Sequence, residues 1–122
     1  MPRRKTAPMA QKQRMPTSIP DEVRTRVMGI VERFNRQNLA AGECYYVARF
    51  RGRYCYLYRF DYGREGPICR LGYRGEPDDW EFAIFKWSTE SYDRDERMFP
   101  GSQFVDGTVR GAMRAGIEAY PA

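Results

Sequence analysis

CYYVARFRGRYCYLYRF, residues 44–60, carries the alternation of a β-hairpin. Val, Tyr and Phe dominate it, and these side chains suit a pleated, partly buried surface. Gly52 stands at the midpoint, where a tight turn needs a residue that accepts positive φ. Whether the turn centres on Arg51-Gly52 or on Gly52-Arg53, a period of two puts the same residues on the same face. One face carries Cys44, Tyr46, Ala48, Phe50, Cys55, Leu57 and Arg59. It is mostly small and apolar, so it is expected to meet helices. The other carries Tyr45, Val47, Arg49, Arg51, Tyr54, Tyr56, Tyr58 and Phe60. Tyrosine has an apolar ring and a polar tip, which fits a wet surface as well as a core margin.

Upstream of the hairpin, Val23, Val27, Ile30, Val31 and Phe34 fall at i, i+4, i+7, i+8 and i+11, an apolar helical stripe. Ser18 is its expected N-cap and Pro20 fits the first turn, with Asp21 and Glu22 at the positive end of the helix dipole. The helix is expected to end near Gln37–Asn38, before Ala41-Gly42 turns the chain into the hairpin. Downstream, Asp61 to Pro67 reads as a loop from its Gly and Pro content. Ile68 to Tyr73 reads as a third strand, with Cys69, Leu71 and Tyr73 on one face and Ile68 and Arg70 on the other. Trp80 to Trp87 is a fourth, apolar on both faces, which suits a central strand or one covered by a loop. Ser88 to Pro100 is polar and acidic and reads as a loop, folded back by Met98-Phe99-Pro100-Gly101. Asp106 is the expected cap of a last helix. There Val109, Ala112, Met113, Gly116 and Ile117 share a face, and Gly111, Ala112, Ala115 and Gly116 keep the helix slim enough to approach a sheet closely. The expected fold is α+β: a four-stranded antiparallel meander with one N-terminal and one C-terminal helix on one face, in the order α-β-β-β-β-α.

The chain has 122 residues, 42% hydrophobic and 15% aromatic, which suits a single domain spanning residues 18–122. Its first 17 residues contain three prolines and no apolar period, the composition of a disordered arm. An organelle transit peptide is the rival for this acid-free stretch, but its prolines oppose the amphipathic helix such peptides form. No run approaches the roughly 20 apolar residues of a membrane helix, so no membrane role is expected. Cys44, Cys55 and Cys69 are an odd number without a CxxC pair. They read as buried, reduced thiols of a cytoplasmic protein.

Charge is distributed unevenly. Arg3, Arg4, Lys5, Lys12 and Arg14 give the arm +5, which equals the net charge of the whole chain. Residues 24–74 hold 11 basic and 4 acidic side chains, and residues 75–106 hold 3 basic and 9 acidic. Such a dipole can steer a partner or pair the basic half of one subunit with the acidic half of another.

Covalent catalysis finds little support. There is no histidine, so neither a Ser–His nor a Cys–His pair can form within the chain. No glycine-rich phosphate loop occurs. Pro77-Asp78 opens like a PD-(D/E)xK nuclease pattern, but the position two before Lys86 is Ile84 rather than an acid. Asp78, Asp79 and Glu81 then read as a solvated turn, a weak proposal for Mg²⁺. No cofactor and no metal is expected, and the chain reads as non-enzymatic.

The best functional candidate is the tyrosine and arginine face. Single-stranded nucleic-acid binders stack bases on exposed aromatics and hold phosphates with nearby cations. Tyr45, Tyr54, Tyr56 and Tyr58 have the rings for stacking, and Arg49, Arg51 and Arg53 have the reach for phosphates. Arg3, Arg4, Lys5, Lys12 and Arg14 add an electrostatic tether. The purely structural reading of the same residues is a ladder of cross-strand tyrosines capped by arginines. The expected partner is single-stranded DNA or RNA. The alternative is a small interaction or adaptor domain that forms a homodimer through its two charged halves.

Overall fold

The structure, a computed structural model, describes residues 15–40 and 42–122. Helix α1 runs Asp21–Asn38. Strands β1 (Cys44–Arg51), β2 (Tyr54–Asp61), β3 (Arg64–Tyr73), β4 (Trp80–Lys86) and β5 (Ser91–Asp93) come next, then helix α2, Val109–Ala119. The five strands form one antiparallel sheet in sequence order. The α+β class and the flanking helices are as expected, but the sheet has five strands where the sequence pattern predicts four. β5 comes from the segment that reads as a loop: Ser91, Tyr92 and Asp93 pair with Lys86, Phe85 and Ile84.

The register settles the first turn and causes two local departures from expectation. Arg51 pairs with Tyr54, so Gly52-Arg53 forms the turn, with Gly52 at φ 59°. The next hairpin is equally tight: Asp61 pairs with Arg64 across Tyr62-Gly63, both at positive φ (54° and 88°). Two positive φ values give the primed turn that matches strand twist, and the stretch that reads as a loop becomes the start of β3. Pro67 is tolerated there because the β2–β3 register shifts between Leu57 and Tyr58, and a bulge spares proline its missing ladder bond. That shift also corrects the side assigned to Ile68. It joins Cys69 in the core, while Arg70 stays on the opposite face.

The helices start differently from expectation. Pro20 occupies the N-cap position of α1 with no side-chain cap, and its carbonyl accepts from the backbone N–H of Val23 and Arg24 at 3.0 Å each. Thr108, not Asp106, caps α2, its Oγ1 accepting from Gly111 N at 2.9 Å. Asp106 acts one step back, accepting from the Thr108 hydroxyl at 2.6 Å and the Thr108 N–H at 3.0 Å. These bonds hold the Asp106 carboxyl below its ordinary pKa. Of the expected latch, Phe99 stacks on Phe82 with centroids 5.8 Å apart and Gly101 is buried against Ala115 of α2, but Met98 is 88% exposed.

Both helices pack on the face of Cys55, Leu57, Cys69 and Leu71, all essentially sealed. Full burial of an aliphatic side chain contributes about 1.5–3 kcal/mol. A Cβ on Gly116 would collide with the Tyr46 hydroxyl and with Ile68, so glycine is what lets α2 sit this low on the sheet. The Tyr46 hydroxyl donates to the Met113 carbonyl at 2.7 Å. Burial pushes the Cys55 thiol up to about 12, so it stays protonated at neutral pH.

Among the described residues Arg59 is the one charged side chain sealed in this core, at 1% exposure. It pairs with Asp61 (2.8 and 3.0 Å), reaches the Gly116 carbonyl at 3.4 Å and donates to the Tyr120 carbonyl. A cation suits the negative end of α2. Burial opposes its charge, but Asp61 and the Tyr46 hydroxyl outweigh burial, and the guanidinium pKa rises. The free edge of β1 is partly closed by α1. Tyr46 N donates to Asn35 Oδ1 at 2.8 Å, and Asn35 Nδ2 donates to Tyr46 O at 3.0 Å.

Among the described residues no helix is long and apolar enough to cross a membrane.

Candidate nucleic-acid interface

Strand alternation lifts Tyr54, Tyr56 and Tyr58 of β2 onto the sheet face opposite both helices. Arg49 and Arg51 rise beside them from β1, and Arg70 from β3. Tyr45, Tyr54, Tyr56 and Tyr58 are all half-buried, and Arg49 and Arg51 are exposed. The rings form a continuous aromatic run. Tyr54 and Tyr56 lie 6.2 Å apart, Tyr56 meets Tyr92 of β5 edge-on at 5.5 Å, and Tyr92 meets Phe85 at 5.1 Å. Burial and the neighbouring Tyr58 hydroxyl raise the Tyr92 pKa, so this phenol stays neutral. Tyr45 lies at the far end, stacked on Phe60 at 5.0 Å and 14°.

The rings are not bare. Arg49 lies over Tyr58 with its guanidinium carbon 4.5 Å from the centroid. Arg53 and Arg70 lie over Tyr54 at 4.6 and 4.5 Å, and Arg70 also reaches Tyr92 at 5.5 Å. Such cation–π contacts contribute about 0.5–1 kcal/mol each at exposed sites. Two of these lids are also ion-paired, Arg49 with Glu65 and Arg53 with Glu81 at 3.7 Å. Gly72 makes the second arrangement fit: a Cβ there would come within 3.0–3.3 Å of Arg53, Glu81 and Tyr54. The arrangement therefore combines a tyrosine ladder with planar cations laid across it. A guanidinium plane is itself a surface on which a base can stack, and it carries the charge that attracts a phosphate.

Of the sequence-derived residues, the fold gathers Arg49, Arg53, Tyr54, Tyr56 and Tyr58 into one cluster. Arg51 stands exposed beside the turn, and Tyr45 is set apart with Phe60. Arg3, Arg4, Lys5, Lys12 and Arg14 lie outside the described residues. Four further members are Arg70, Tyr92 and the partner acids Glu65 and Glu81. Alternation places Arg70 on this face but does not connect it to the tyrosines, because that connection depends on the β2–β3 register. Tyr92 is hidden in a segment that reads as polar loop.

The base of the arm is placed beside this surface. The Thr17 carbonyl oxygen lies 3.8 Å from where a Cβ on Gly52 would sit, which sets the chain leaving residue 15 next to Arg51 and Arg53. The three cysteines are buried and unbridged. Among the described residues no group of three or more Cys, Asp and Glu side chains is placed to hold a metal ion. Comparison with protein-family models, with curated proteins and with solved structures finds no match.

Proposed function

We propose that this chain binds single-stranded nucleic acid, DNA or RNA, between its arginine-lidded tyrosines and its basic arm, without catalysing a reaction. The observation that carries the reading is a half-buried aromatic run on the face opposite both helices, crossed by Arg49, Arg53 and Arg70. Bases stack on the guanidinium planes and ring edges, phosphates take the exposed Arg49 and Arg51, and the arm follows the backbone beyond Gly52. Each stacked base is worth about 1–3 kcal/mol. If all five arm charges meet phosphates, the salt slope is roughly −3.5 to −4.5.

Fluorescence anisotropy with labelled oligothymidylate and oligouridylate of about 15 nucleotides tests this. Tyr56→Ala is expected to weaken binding by about 1–3 kcal/mol, and removal of residues 1–14 to flatten the salt dependence. Binding that ignores both changes removes the reading. The alternative, an adaptor domain that self-associates through its charged halves, draws support from the 11 basic and 4 acidic side chains of residues 24–74 set against the 3 basic and 9 acidic of residues 75–106. A salt-sensitive dimer in light scattering without oligonucleotide binding selects it.

A further inference from the structure

On the acidic side of the molecule a cleft of about 610 Å³ opens between β4, the turn before it and the segment leading into α2. Its size falls within the range of ligand pockets. Phe82 and Phe99, stacked at 13°, line it together with Asp79, Glu81, Asp95 and Asp106. Two of its three arginines are committed, Arg74 to Asp79 at 2.9 Å and Arg94 to Glu81 at 3.2 Å, while Arg97 makes no ion pair among the described residues. Asp95 and Asp106 make no ion pair among the described residues. The surrounding stretch, residues 75–106, carries −6 from its 3 basic and 9 acidic side chains. The cleft therefore suits a cationic occupant with side chains that stack on phenyl rings, which is the chemistry of arginine.

The chain supplies such an occupant. Residues 1–14 hold five cations and no acid. Their exit is set by Thr17 beside Gly52, at the end of the sheet where Arg53 meets the cleft residue Glu81 at 3.7 Å. Helix α1 starts at Asp21, and Arg26 is about 7–8 Å along its axis. Arg26 Nη2 is 3.5 Å from Asp78 Oδ2, next to the rim residue Asp79. Fourteen residues reach about 46–50 Å when extended and about 20 Å as a coil. Tethering at this range gives an effective concentration of about millimolar order, so contacts too weak to hold a free peptide suffice.

We infer that the basic arm docks in this cleft of its own chain, and that nucleic acid binds by drawing the arm away from it. Docking stands independently of the proposed function; release by nucleic acid rests on it. The molecule then lowers its own affinity for polyanions: the arm's cations must leave carboxylates before they meet phosphates.

Zero-length carbodiimide coupling on the full chain tests this, because it joins an amine to a carboxylate only where the two are in contact. The chain has three lysines, Lys5, Lys12 and Lys86, which keeps the map simple. Lys86 Nζ sits 3.0 Å from Glu96 Oε1 and serves as the internal control. The expected result is that Lys5 or Lys12 couples to Asp95, Asp106 or Asp79 within one molecule. Saturating oligothymidylate is expected to abolish these links and leave the Lys86–Glu96 link. Control coupling without arm coupling overturns the inference, as does arm coupling spread equally over Glu22 and Glu32 of α1. Links that are hybrid in a mixture of ¹⁴N and ¹⁵N protein also overturn it, assigning the cleft to a second copy. Arm links that persist under oligonucleotide leave the docking intact and remove the arm from the nucleic-acid reading.

Discussion

The sheet holds the same pairing, arginine against tyrosine, on both of its faces, and the two faces use it differently. On the helix side Arg59 lies 5.5 Å from the Tyr46 centroid, sealed and bonded to Asp61 and to the carbonyls that end α2. On the other side Arg49, Arg53 and Arg70 lie at 4.5–4.6 Å over tyrosines that water still reaches. Residue type and ring contact do not distinguish them; the degree of enclosure does. A guanidinium with every neighbour fixed and no solvent is a fastener. One that covers a ring on one side and faces water on the other can exchange partners. The proposed function belongs to the face where the pairing is incomplete.

Three substitutions sharpen or break this contrast. Arg59→Met is expected to cost the most, about 3–5 kcal/mol in urea unfolding, because it leaves Asp61 and the α2 carbonyls without their cation. A cost below about 1 kcal/mol would mean that water satisfies those groups and that the two faces are alike. Tyr46→Phe deletes only the hydroxyl between Met113 and Arg59, and is expected to cost about 1–3 kcal/mol. Arg70→Met is expected to change stability by no more than about 1 kcal/mol, since it removes contacts to Tyr54 and Tyr92 at a wet surface. Its effect should appear in oligonucleotide affinity instead. If Arg70→Met unfolds the protein as readily as Arg59→Met, the open face is structural and the proposed function loses its surface.

Much of the sheet was legible in residues 44–60. Period-two alternation assigned the sides of Tyr46, Leu57, Tyr54 and Tyr56 without ambiguity, because a side chain in a strand has only two directions to take. Helical spacing did the same for Val27 and Met113. The features that escaped are set by register and by turns rather than by pattern. Ile68 changed sides because one shifted pair between Leu57 and Tyr58 reverses the parity of the neighbouring stretch of β3. Tyr62 adopts a φ of 54°, a conformation its residue type does not announce, and so a two-residue turn reads as a loop. β5 is three residues long, too short for alternation to register, and with it went Tyr92. The arginine lids share the same limit: alternation puts Arg49, Arg70 and Tyr54 on one face, but only the register shows which ring each cation covers.

The side-chain amide of Asn35 holds both backbone groups of Tyr46 at the outer margin of β1. A sixth strand arriving from another molecule would need those two bonds, and a residue of the neighbouring helix already has them. The sheet's finite width at that margin is thus enforced by α1. Should α1 detach while the hairpin persists, the molecule would expose a tyrosine-rich template for fibril growth, so the helix protects solubility as well as the core.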